Sequence, residues 1–177
     1  PRMSVPFDED FRNLLTSLKV LSADVDDAAL LSRVKDAPFV RRAYLRAVFA
    51  MIEGNTNLMS SVVARAADRG EIALSPGEHA VLHSESYSLS SKARLQTRPS
   101  YCPLHTRVRF VSSLFGRVCG NAQSLDTSGD GWRAFKAAIE LRNRVTHPQT
   151  SSSFEITDDD LTGVESAFEA EALPLDW

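Results

Sequence analysis

The sequence predicts an all-α fold: an up-and-down helical bundle of about five to six helices in a single domain over residues 1–177. Three observations lead there. Apolar residues recur at helical spacing along most of the chain, cap and stop signals divide it at helix-like lengths, and no run shows the strict alternation of a half-buried strand.

Taken in order, a first helix is expected over Asp8–Leu21, where Phe11, Leu14, Leu15 and Leu18 fall on one side. Asp24–Lys35 reads as a short second helix or helical linker carrying Leu30, Leu31 and Val34. Asp36 followed by Pro38 is a cap-and-proline start for a long third helix, with Tyr44, Val48, Ile52, Met59 and Val63 along one side and Gly70 at its end. Gly54 inside it marks a kink or a close helix contact. Ser75-Pro76-Gly77-Glu78 is a capping box opening a helix of about a dozen residues that fades at Tyr87. Residues 86–101 are Ser-rich and read as a loop or short hairpin. Pro103 starts a helix carrying Val108, Val111, Leu114, Phe115 and Val118, and the glycine-rich 116–130 stretch is a second loop. A helix then covers Gly131–Thr146, and Thr157 caps a final acidic helix towards Glu171.

Hydrophobic residues are 43% and charged residues 24% of the chain, an ordinary globular balance. A chain of this length buries about two thirds of its unfolded surface, so neither metal nor disulfide is needed to hold it. Cys102 and Cys119 are too few for a secreted disulfide scaffold and fit a reducing compartment, so a cytoplasmic location is expected. No apolar run approaches the roughly 20 residues of a membrane span, and no membrane partner is expected. The opening Pro1-Arg2-Met3-Ser4 lacks the apolar stretch of a signal peptide.

The net charge of −3 argues against a general nucleic-acid binder, but the charges are unevenly spread. Ser86–Leu125 contains no acid and six bases, Arg107 and Arg109 among them. After Arg144 there is no Lys or Arg, and acids run from Glu155 to Asp176. Such polarity either builds a basic face for a polyanion or lets the two segments neutralise each other.

The chemistry concentrates in Trp132–Pro148. Trp132, Phe135, Ala138, Ile139 and Val145 share one apolar face at 100° per residue, while Arg133, Lys136, Glu140 and Arg144 fall opposite. Arg142 projects near the centre of the apolar face, where a charge is costly unless it is paired or at an interface. Pro148 disfavours helical geometry at His147, which should bend out of the last turn. The negative helix end favours an imidazolium there, and histidine suits proton transfer. Asn143, one turn earlier, is placed to orient the imidazole or a substrate.

Arg142-Asn143-Arg144-Val145-Thr146-His147 resembles the Arg-X4–6-His motif of HEPN domains, in the form with a polar residue directly after the Arg. The lead-in Ile139-Glu140-Leu141 and the following Pro148 are similar to many bacterial members, and Arg41-Arg42-Ala43-Tyr44 through Ile52-Glu53-Gly54 more loosely resembles an early helix of some. Arg98 and His105 also fit a looser version of the spacing but straddle Pro99 and Pro103. The resemblance implies a HEPN-like helical fold and a metal-independent endoribonuclease of toxin or phage-defence type, with no cofactor and no metal. It implies RNA as substrate, a homodimer that joins two motifs into a composite site, and an antitoxin or regulatory protein as a further partner. Arg142, Asn143 and His147 would be catalytic: His147 moves protons, Arg142 binds the scissile phosphate, and Asn143 orients either. Arg144, Arg107 and Arg109 would contact RNA, and Glu53 would support Arg142. Toxin-type members with His-X-Tyr are silenced by modification of the Tyr; Gln149 stands there instead, so that control is not implied. The alternative is a non-catalytic HEPN-like module that binds RNA, nucleotide or a protein partner.

Two weaker patterns are better read as structure. Asp126–Gly131 opens like a calcium loop, but its twelfth position is Ala137 where a bidentate Glu is needed, so a turn with Asp130 capping the next helix is expected. His79, His83, Cys102 and His105 match no usual zinc spacing.

Overall fold

Six α-helices and one two-stranded hairpin make up the described residues, 5–120 and 125–171 of the computed structural model. The opening Pro1-Arg2-Met3-Ser4, residues 121–124 of the glycine-rich stretch, and Asp176 lie outside them. The chain is all-α, as the periodicity indicates, and no helix among the described residues is long and apolar enough to cross a membrane.

Helix α1 (Val5–Val34) is one continuous helix where the sequence suggested two. Neither glycine nor proline occurs between Leu21 and Val34, so nothing breaks the hydrogen-bond ladder there. Helix α2 (Pro38–Asp68) starts with proline as expected, but Asp36 does not cap it: its Oδ1 accepts from Arg41 Nε at 2.7 Å instead. That guanidinium holds the Asp36 carboxyl below the usual aspartate range. Gly70, at φ +72°, closes α2 by letting Glu71 N donate back to Ala66 O at 2.9 Å.

Helix α3 (Pro76–Leu82) carries the capping box: Ser75 Oγ accepts from Glu78 N at 3.2 Å, and Glu78 Oε2 accepts from Ser75 N at 2.7 Å. It is shorter than its expected dozen residues because Ser84 turns to φ +54° and its carbonyl accepts from Ser100 N at 2.7 Å. The chain then forms strands β1 (Glu85–Leu89) and β2 (Leu95–Pro99), antiparallel with Glu85 opposite Pro99 and Leu89 opposite Leu95. Most of the 86–101 stretch is therefore a hairpin. Helix α4 (Leu104–Val118) continues through Gly116, into the stretch expected to be a loop. Helix α5 (Asp130–Thr146) follows, then a 3-10 turn at Ser151–Phe154 and helix α6 (Asp158–Glu171). Thr157 caps α6: its Oγ1 accepts from Asp160 N at 3.1 Å, and Asp160 Oδ2 accepts from Thr157 N at 2.9 Å.

Two compact units result. The hairpin unit holds the chain up to Leu14 and Thr56–Leu125; the motif unit holds Leu15–Asn55 and the chain from Asp126 on. The boundaries fall inside α1 and α2. The hairpin unit buries Met59, Val62, Val63 and Ala66 of α2 with Val108, Val111, Leu114 and Phe115 of α4. The motif unit buries Tyr44, Leu45, Val48 and Phe49 of α2, the apolar stripe of α5, and Val164 and Ala167 of α6. Gly54 is a close-contact glycine there: a Cβ would come within 2.8 Å of Leu21 Cδ1 on α1. Leu30, Leu31 and Val34, read as apolar positions of a second helix, stand exposed at the end of α1.

Candidate functional site

The site is built on α5. Its amphipathic period buries Trp132, Phe135, Ala138, Ile139 and Val145, and Leu141 with them. Arg142 emerges beside this stripe with 32% of its side chain accessible. Its Nη2 donates to Glu53 Oε1 on α2, and its Nη1 donates to Asn143 Oδ1 at 3.1 Å. The guanidinium carbon lies 5.8 Å from the centroid of the Phe49 ring. A carboxylate, an amide oxygen and an aromatic face thus receive the charge that the sequence places on an apolar side. Its placement alone therefore does not require a second subunit. Among the described residues two of the guanidinium N–H groups are engaged, which leaves the others for an anion.

His147 ends the helix as the Pro148 argument predicts. It sits outside helical geometry at φ −120° and ψ 63°, and its backbone N–H donates to Asn143 O at 2.8 Å. The residue is exposed, and among the described residues its imidazole has no hydrogen-bond or ion-pair partner. Asn143 serves both neighbours, its backbone holding His147 and its side chain holding Arg142; it does not orient the imidazole through its amide. The five-residue step separates Arg142 and His147 by roughly 7.5 Å along the helix axis.

The flanking arginines differ. Arg144 is occupied: it donates to Glu155 O at 2.8 Å and Ser152 O at 3.3 Å and pairs with Asp160 at 3.3 Å, tying the 3-10 turn and the start of α6 to α5. Arg41 does the same from α2, donating to Ile156 O at 2.9 Å and pairing with Asp158 at 2.6 Å, a role the sequence did not disclose. Arg107 and Arg109 belong to the hairpin unit, with Arg107 half-buried and Arg109 exposed. Phe49 was also missed; its only signal was an aromatic residue one turn before Glu53.

The weaker patterns resolve as local structure. Asp126 Oδ1 accepts from Ser128 N at 2.9 Å and Ser128 Oγ at 2.6 Å, which holds its carboxyl below the usual range. Asp130 does not cap α5: Gly129 occupies the cap position, and Asp130 pairs with Arg133 in the first turn. The His79 and His83 rings lie 4.4 Å apart, and among the described residues no group of three or more His, Cys, Asp or Glu is placed to hold a metal ion.

No family model matches the chain, and neither a curated protein nor a solved structure matches it.

Proposed function

We propose that the chain is a HEPN-type endoribonuclease, of toxin or phage-defence kind, that cleaves RNA by attack of its own 2′-OH. The observation that carries this reading is the division of labour at the end of α5: Arg142 is held by Glu53 and Asn143 while His147 presents an unengaged imidazole. In this mechanism His147 takes the 2′-OH proton as that oxygen attacks phosphorus. The free N–H groups of Arg142 stabilise the phosphorane oxygens. His147 of the partner subunit protonates the departing 5′-oxygen, leaving a 2′,3′-cyclic phosphate and a 5′-OH. The wide step between Arg142 and His147 within one chain favours a composite site in a homodimer, where two motifs face one phosphate.

One observation favours the non-catalytic alternative, a module that binds RNA, nucleotide or a protein partner: the Glu53 carboxylate offsets the Arg142 charge. RNA incubated in EDTA with wild type and with His147→Ala separates the two. The nuclease reading expects cyclic-phosphate ends from wild type and none from the variant. Equal cleavage by both proteins removes His147 from the mechanism, and RNA binding without cleavage by wild type selects the module.

A further inference from the structure

The hairpin unit contains a feature that the α5 site does not use. An open cleft of about 320 Å³ lies between the second half of α2, the end of α3 and the start of α4. Its wall includes Asn57, Ser60, His83, Ser84 and Arg107, and no carboxylate is among its lining residues. Arg107 is half-buried, and among the described residues its guanidinium has neither an ion-pair nor a hydrogen-bond partner. The other half-buried arginines among the described residues are engaged: Arg41 and Arg142 hold carboxylates, and Arg42 donates to Phe154 O.

Two further observations fall on the same wall. Ser60 is only 7% accessible, and among the described residues its buried Oγ has no hydrogen-bond partner. A buried hydroxyl left without a partner is costly, and an acceptor oxygen bound in the cleft would supply one. Ser84 is held at φ +54°, a conformation that a non-glycine residue keeps only where its surroundings fix it. Here Ser84 N donates to Val81 O at 3.0 Å while its carbonyl accepts from Ser100, so the hydroxyl at the cleft edge stands on a fixed backbone.

Every one of these polar side chains can donate a hydrogen bond: the guanidinium, the Asn57 amide, the Ser60 and Ser84 hydroxyls, and the imidazole of His83. A cation and several donors on one wall without a competing acid select a compact oxyanion with several acceptor oxygens, and a guanidinium favours phosphate. The volume is at the lower end of ligand clefts, which suits one small phosphorylated molecule rather than a polymer. We infer that this cleft binds a small phosphate monoester, with Arg107 and Ser60 as its principal contacts.

The inference does not rest on the nuclease reading, since all the lining residues belong to the hairpin unit. The test is a backbone-amide NMR titration of the full chain with inorganic phosphate, uridine 5′-monophosphate and acetate at matched ionic strength. Phosphate and the monophosphate are expected to give saturable shifts at residues 57–61, 83–84 and 104–108, with acetate much weaker. Arg107→Gln should weaken binding at least about tenfold, and the exposed Arg94→Gln should leave it unchanged. Ser60→Ala removes an atom with no partner in the fold, so it should weaken binding without lowering the melting temperature. Undiminished affinity in Arg107→Gln, acetate binding as well as phosphate, or shifts in these segments with a short RNA alone would each overturn the assignment.

Discussion

Arg142 in the motif unit and Arg107 in the hairpin unit are both half-buried arginines on amphipathic helices, yet their surroundings are opposite. Arg142 is met by Glu53, Asn143 and the Phe49 ring, whereas Arg107 lines a cleft with no carboxylate. A cation with a partner in its own chain is first part of the fold, and any ligand must share it. A cation without one is held by the fold in a place that still favours an anion. Sequence position alone does not separate these cases. Arg142 drew attention because it broke an apolar stripe, and Arg107 only because its segment lacks acids.

The contrast can be tested through stability, beginning with the largest effect. Phe135 is fully buried in the motif unit, and Phe135→Ala should cost about 3–5 kcal/mol in chemical denaturation. A loss under 1 kcal/mol would mean that α5 is not packed as described and that Arg142 is not fixed by it. Gly54→Leu drives a side chain into Leu21 one residue beyond Glu53, and a loss of about 1–3 kcal/mol is expected by the same measurement. Glu53→Gln removes the carboxylate from a pair that is 32% and 39% accessible, so a loss of about 1 kcal/mol is expected. Arg107→Gln should instead change stability by less than about 0.5 kcal/mol, having no partner to leave behind. Equal losses from these two substitutions would erase the distinction between the arginines.

The smallest effect is a pH dependence. Backbone and side-chain hydrogen bonds from Ser75, aided by Arg117, hold the Glu78 carboxyl below the usual glutamate range. Its folded value is depressed, so the stabilisation is complete above the ordinary glutamate range and is lost as pH falls through the folded value. Acid melting curves of wild type and Glu78→Gln should converge as pH falls through that window. A gap that widened on acidification would reverse the sign of this contribution.

Much of the motif unit was legible in the sequence because its information is local. Apolar residues at helical spacing on α5, Pro148 after His147 and Thr157 before α6 each act within a turn of where they stand. Glu53 as the support of Arg142 came only from the resemblance, and the structure pairs the two side chains. What the sequence hid depends on distant partners. Helix α3 stops early because Ser84 pairs with Ser100, and Asp36 leaves its cap position for Arg41. The phosphate cleft gathers residues from Asn57 to Arg107 across three helices, and no spacing rule encodes such an assembly.

In the proposed reaction Arg142, although paired with Glu53, lends its remaining N–H groups to the scissile phosphate. RNA cleavage by Arg142→Gln in EDTA, compared with wild type at matched folded fraction, tests it most directly. The variant should lose at least about 10²-fold while wild type leaves cyclic-phosphate ends; cleavage at the wild-type rate by the variant would remove Arg142 from the reaction.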